Sequence, residues 1–252
     1  MTMSGHKESV QKIAYLPGGE RIVTSSYDKT VRIWDVETGE QEGRTMKHER
    51  WLDGLAVTRD GKRILSGGGD KRIRVWDVET HEFIEEWKDD TDAIWCIAVS
   101  PDDHQLFSSS RDHTIRCWNS DTGKSIGEPW KGHTDDVDSL SLSPDGTKLV
   151  SASRDKTIRF WDAQSSDPIG QPLQHDSIVN AVTFSPSGEF VASGGWDKKV
   201  SIWRVPWWDD SQKQVITVFA YLSMSFLTLH FCRHIVPSSK MCVILKCFVK
   251  PL

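Results

Sequence analysis

Cysteine is scarce in this 252-residue chain: there are five, and only Cys96 and Cys117 fall within the first 210 residues, with no C-x-x-C pair. An odd count without paired spacing argues against a disulfide framework and for a reducing compartment. The opening MTMSGHKESV contains no apolar run that could serve as a secretory signal, so cytosolic synthesis is the default, with a cytoplasmic or nuclear location. No P-loop, GxGxxG or GxSxG phrase appears, and SGGGD at 66–70 reads as a hairpin turn, not a phosphate cradle. A basic excess is also missing. The net charge of −5 gives no reason to expect a nucleic-acid partner. Acidic residues, finally, stop near residue 210. Residues 1–210 carry 26 Lys and Arg against 36 Asp and Glu, whereas 211–252 carry five bases and no acid.

What is present is repetition. TVRIWDVETGE at 30–40 returns as KRIRVWDVETHE at 71–82, and tryptophans stand at Trp34, Trp76, Trp118, Trp161 and Trp203, in steps of 42, 42, 43 and 42. Six residues before each stands Asp28, Asp70, Asp112, Asp155 or Asp197, and four residues earlier a hydroxyl: Thr24, Ser66, Ser108, Ser151 or Ser193. Twenty-two residues before the aspartates come His6, His48, Asp90, His133 and His175, so one position of five breaks register. Between these anchors, short β-branched runs such as RIVTSS and KLVSAS alternate apolar and polar residues as strands do. Turn phrases such as SPDGT and TRDGK punctuate them, Pro presetting φ and Gly supplying positive φ; SPDDH lacks the Gly.

A unit of about 42 residues with four short strands, a His near its start and Trp-Asp near its end resembles the WD40 repeat of β-propellers. The resemblance implies an all-β propeller of five four-stranded blades over residues 1–210, with repeats at about 5–46, 47–87, 88–130, 131–173 and 174–210. It also implies that His, Ser or Thr, Asp and Trp of each unit form a buried relay, each polar group satisfying another. Asp90 in place of His then predicts that the third unit lacks one link and forms the softest blade.

His133, Ser151 and Asp155 are also the residue types of a hydrolase triad. The same trio recurs in His6/Thr24/Asp28, His48/Ser66/Asp70 and His175/Ser193/Asp197, always with a Trp that acyl transfer does not need, so the structural reading is preferred and no enzyme is expected. HFCRH at 230–234, with Cys242 and Cys247 beyond, matches no usual zinc spacing; no metal or cofactor is expected.

In the resembled family the His loop and the Asp turn share one rim. Strand alternation then directs towards that rim the residues three and five past the His, with the residue before the Asp. These are Ser9, Gln11 and Tyr27; Trp51, Asp53 and Gly69; Ala93, Trp95 and Arg111; Asp136, Asp138 and Arg154; Ile178, Asn180 and Trp196. Aromatics and arginines dominate interaction hot spots, so Tyr27, Trp51, Asp53, Trp95, Arg111, Asp136, Asp138, Arg154, Asn180 and Trp196 are the candidate surface for a protein or peptide partner. The competing reading pairs Arg111 and Arg154 with Asp136 and Asp138 and packs the tryptophans on neighbouring loops.

The tail, 211–252, has no Gly, Asp, Glu or Trp-Asp phrase. KQVITVFA at its start could add the last strand of the fifth blade. The remainder reads as non-coding or frame-shifted sequence joined to a truncated array, ahead of two alternatives. One is a tail anchor, since 215–232 approaches the length needed to span a bilayer and would make the chain a membrane-tethered adaptor; the other is a pad on blade edges. Five units leave either a tight closed ring or an open arc; the arc is preferred, and its uncapped ends would favour self-association or marginal stability.

Overall fold

The computed structural model describes residues 1–88 and 90–209. Residues 1–206 form one unit, an array of antiparallel meanders without helices. The first blade comprises β1 (Val10–Tyr15), β2 (Arg21–Ser26), β3 (Thr30–Asp35) and β4 (Gln41–Lys47). The second comprises β5 (Leu52–Val57), β6 (Arg63–Gly68), β7 (Ile73–Asp77) and β8 (Phe83–Trp87). The third comprises β9 (Ile94–Val99), β10 (Gln105–Ser110), β11 (Ile115–Asn119) and β12 (Ser125–Trp130). In the fourth come β13 (Val137–Leu142), β14 (Lys148–Ser153), β15 (Thr157–Asp162) and β16 (Pro168–Gln174). The fifth has three strands among the described residues, β17 (Val179–Phe184), β18 (Phe190–Gly195) and β19 (Val200–Arg204). The fourth strand expected in KQVITVFA lies outside the described residues, as do the tail anchor and the Cys/His cluster. No helix of the described residues is long and apolar enough to cross a membrane.

Each blade is too thin to hide an apolar face alone, so the core lies between blades. Val23, Val31 and Ile33 of the first pack on Leu52, Leu55, Ile64 and Trp76 of the second. The same arrangement recurs with Leu65, Ile73 and Val75 on Ile97, Leu106 and Trp118, and with Phe107, Ile115 and Cys117 on Leu140, Leu149 and Trp161. Cys96 and Cys117 are buried free thiols, and burial pushes the Cys117 thiol up to about 11, which keeps it an unreactive apolar filler.

The two ends show what this scheme leaves over. Ile13 and Tyr15 of β1 are 64% and 67% exposed, although their counterparts in β5, Leu55 and Val57, are covered by the blade before. At the far end Val200 and Ile202 are 77% and 63% exposed, where Val31 and Ile33 in β3 are fully covered by the blade after. The blades of residues 1–206 therefore make an open arc with an apolar half-interface at each end.

The hairpin turns explain the repeated Asp. After it, Lys29, Lys71, His113, Lys156 and Lys198 all take positive φ of 62–69°, a conformation costly for residues with a Cβ. The Asp carboxylate holds it by accepting the next backbone N–H but one: Thr30, Thr114, Thr157 and Lys199 donate to Asp28, Asp112, Asp155 and Asp197 at 2.9–3.0 Å. In the third blade Asp103 stands where Gly61, Gly146 and Gly188 stand in others, and it too has positive φ, 61°. Its carboxylate accepts the backbone N–H groups of Arg59 and Asp60 at 2.8 and 3.1 Å, tying the turn to the preceding blade. That bond offsets the strain the missing glycine would have avoided.

Candidate functional site

The His, hydroxyl, Asp and Trp of a unit meet at the joint between the second and third strands and the incoming loop. In the first unit Trp34 Nε1 lies 2.8 Å from Thr24 Oγ1, which lies 2.7 Å from His6 Nε2, and His6 Nδ1 lies 2.9 Å from Asp28. The second unit repeats this with Trp76, Ser66, His48 and Asp70 at 2.8, 2.7 and 3.0 Å. The fourth does so with Trp161, Ser151, His133 and Asp155 at 2.8, 2.7 and 2.7 Å. An indole N–H can only donate, so the hydroxyl accepts from it and donates onward to His Nε2, leaving Nδ1–H to donate to the carboxylate. The chain of donors is complete with a neutral imidazole. In the fifth unit Trp203 and His175 hold Ser193 at 2.9 and 3.0 Å, but His175 Nδ1 is 3.6 Å from Asp197.

These bonds set the titration of the carboxylates. Burial alone would raise Asp28, but hydrogen bonds from Thr30, the Lys7 backbone N–H and His6 overcome it and hold the group at about 2. Asp70, Asp112 and Asp155 are lowered against the same burial, by bonds from His48, from Thr114 and Thr91, and from His133 and Thr157. Burial pushes the His48 imidazole down. As a hydrolase the constellation fails on access, because Ser66 and Ser151 are fully buried and already accept an indole N–H.

The third unit corrects one expectation. The histidine is gone, but the place is filled. Asp90 accepts from Ser108 Oγ at 3.2 Å and sits 3.1 Å from the Arg116 guanidinium, Trp118 donates to Ser108 at 2.9 Å, and Thr91 donates to Asp112 at 2.6 Å. A carboxylate–guanidinium pair thus replaces the imidazole as the bridge between loop and sheet.

On the rim, four residues from four blades form a ladder. The Tyr27 ring meets Trp51 edge-on at 5.7 Å, Trp51 stacks on Trp95 at 5.1 Å, and the Arg154 guanidinium lies 4.7 Å over Trp95. Arg154 is aimed by carboxylates, its Nε 3.1 Å from both oxygens of Asp138 and its Nη1 3.3 Å from Asp136. The pairing of Arg154 with these acids and the stacking of the tryptophans match the competing reading of the rim, and they build a single surface in doing so. Gly69 makes the ladder possible: a Cβ there would sit 2.7 Å from the Trp51 indole. Arg111 and Asn180 are exposed outside the ladder, and Trp196 is 68% exposed on the fifth blade.

Asp53 lies beside Tyr27, within reach of its hydroxyl. Burial pushes its carboxyl up to about 6, with Lys12 and the Tyr27 hydroxyl opposing and Asp138 reinforcing. Its charged form is disfavoured by folding, so this group detracts from stability above pH 6 and ceases to do so as pH falls towards the ordinary carboxylate range. Asp53→Asn is accordingly expected to stabilise the protein at pH 8 by about 1 kcal/mol, solvent screening of a half-buried group keeping the gain small, and to do nothing at pH 4. Denaturant midpoints at the two pH values check this; an equal shift at both would show that the charge is not the cause.

The family described as WD domain, G-beta repeat matches the chain five times, over residues 1–35, 40–77, 81–119, 123–162 and 167–204. Shorter similarities join it to known proteins: 41% identity over 54 residues to Denticleless protein homolog of Gallus gallus, covering 21% of this chain and 8% of that protein. Nuclear distribution protein nudF 2 of Penicillium rubens is 37% identical over 67 residues, covering 22% and 14%. Coronin-7 of Bos taurus is 36% identical over 55 residues, covering 21% and 6%. The chain thus spans a small part of the length of these relatives. Five matched copies across residues 1–204, on five successive antiparallel sheets, mean that this chain belongs to the WD40 repeat family.

Proposed function

We propose that the protein is a non-catalytic interaction scaffold of the cytosol or nucleus that presents the ladder-bearing rim to a protein or peptide partner. The observation that carries this reading is the ladder itself. Tyr27, Trp51, Trp95 and Arg154 come from four blades, have no part in the relays or the inter-blade core, and form one amphipathic strip beside Asp53. Large aromatics and arginine give much contact area for little lost side-chain freedom, which is why they dominate interaction hot spots.

Trp51→Ala and Trp95→Ala should each weaken a partner on this rim at least about tenfold, while the β-sheet circular-dichroism signal is unchanged. Partners recovered from cell extract on the wild-type chain, then measured against each variant, provide the test. Neutral rim variants for every partner, with capture abolished by changes on the opposite face, would place the working surface elsewhere.

A further inference from the structure

In a family member whose first 210 residues are strongly acidic, one place concentrates positive charge. Lys7, Lys29, Lys47 and Arg32 line a cleft of about 410 Å³ between the first two blades. Its other polar walls are occupied: Asp28 accepts from His6, from Thr30 and from the Lys7 backbone, and His48 is bound to Asp70 and Ser66. Among the described residues none of the three lysine ammonium groups pairs with a carboxylate. Four lysines elsewhere do, among them Lys199, which reaches Asp176 at 2.7 Å, and Lys148, which reaches Asp162 at 2.6 Å; what sets the three apart is that they line one cleft.

The repeat supplies its own control. Where the first unit has Lys7 the others have Glu49, Thr91, Thr134 and Asp176, and where Lys47 precedes His48, Gly132 and Gln174 precede His133 and His175. The blades are built without lysine at these two positions, so Lys7 and Lys47 serve no need of the fold, whereas Lys29 and Arg32 recur in other units and are part of the repeat. Arg32 is offset by Asp28, which lies 4.0 Å away and lines the same cleft, so the local positive potential comes from the three ammonium groups around one cavity. A tetrahedral dianion, which can accept from several converging donors at once, suits that arrangement better than a planar monoanion does.

We propose that this cleft is a binding site for a phosphoryl group. Lys7 and Lys29 also line the neighbouring groove, whose wall includes Tyr27 and Trp51, so a peptide lying on the ladder would bring a phosphorylated side chain to the cleft. The anion site stands on the charges alone; only its delivery by a peptide rests on the rim reading.

The test uses the full chain, calorimetric titration at fixed ionic strength, and three probes: inorganic phosphate, a pool of phosphoserine peptides, and the same pool unphosphorylated. Saturable binding of the phosphorylated pool, at least tenfold tighter than of the unphosphorylated one, is expected. Lys7→Ala, Lys29→Asn and Lys47→Ala combined should abolish that preference, Asn being tolerated at the positive φ of residue 29. Lys71→Asn, Lys156→Asn and Lys198→Asn combined removes the same number of charges from the matching turns and should leave the preference intact. Equal losses in both triple variants, or no preference in the wild type, would overturn the proposal. Inorganic phosphate binding more tightly than the phosphorylated pool would overturn delivery by a peptide. Trp95→Ala should leave inorganic phosphate binding unchanged, so failure of the rim reading and failure of the anion site give different results.

Discussion

Trp161→Ala is expected to lower the stability of the arc by about 3 to 5 kcal/mol, a large part of what a domain of this size has to lose. The indole is buried in the cluster that joins the third and fourth blades, with Trp130, Phe107 and Leu149 around it, and its N–H is the first donor of the fourth relay. Removing it opens a cavity and also leaves the buried Ser151 hydroxyl short of a donor. Trp203, at the same place in the fifth unit, has no following blade among the described residues and is only half-buried, so Trp203→Ala should cost distinctly less. Guanidinium titrations of the two variants decide the matter. Equal midpoint losses would mean that the tryptophan acts within its own blade, not through the packing between blades.

Acid should dismantle the same joints. Asp28, Asp70, Asp112 and Asp155 all have folded-state pKa values below the ordinary carboxylate range, Asp28 at about 2. A depressed value means that the unfolded chain takes up protons first, so the stability from these groups is fully present above about pH 4 and drains away as pH falls towards 2. His48 adds to the loss from below its ordinary pKa of about 6.5, because the buried imidazole resists the charge that the unfolded chain accepts. Circular dichroism is expected to show cooperative loss of sheet between about pH 4 and pH 2, with Asp28→Asn giving a shallower acid limb from a lower starting stability. An acid limb identical in the wild type and this variant would remove the relay carboxylates from the explanation.

The architecture was legible because a fixed period leaves few choices: the register of Trp, Asp, hydroxyl and His announced the blades, and alternation announced their strands. What the linear pattern hid were contacts between units. Asp90 looked like a vacancy because the register marks a histidine there, yet the arginine that completes it was in plain view, since Arg32, Arg74, Arg116 and Arg159 share one position. Asp103 looked like a missing glycine because its compensating donors, Arg59 and Asp60, belong to another blade. The rim positions could be chosen by strand alternation, but the diagonal order Tyr27, Trp51, Trp95, Arg154 depends on how far each blade is rotated from the next, which no single unit encodes. Gly69 gave no signal for the same reason, its role being the space it leaves for Trp51.

An array that bites its own tail fixes the spacing of every blade, because no joint can widen without another closing. Among the described residues the first and last faces are exposed, so residues 1–206 carry no such closing constraint. The ladder crosses all three joints between the first four blades, from Tyr27 to Arg154. A partner that gripped the stacked rings would therefore load three joints at once, and the spacing of the four sheets beneath would be held in part from the rim.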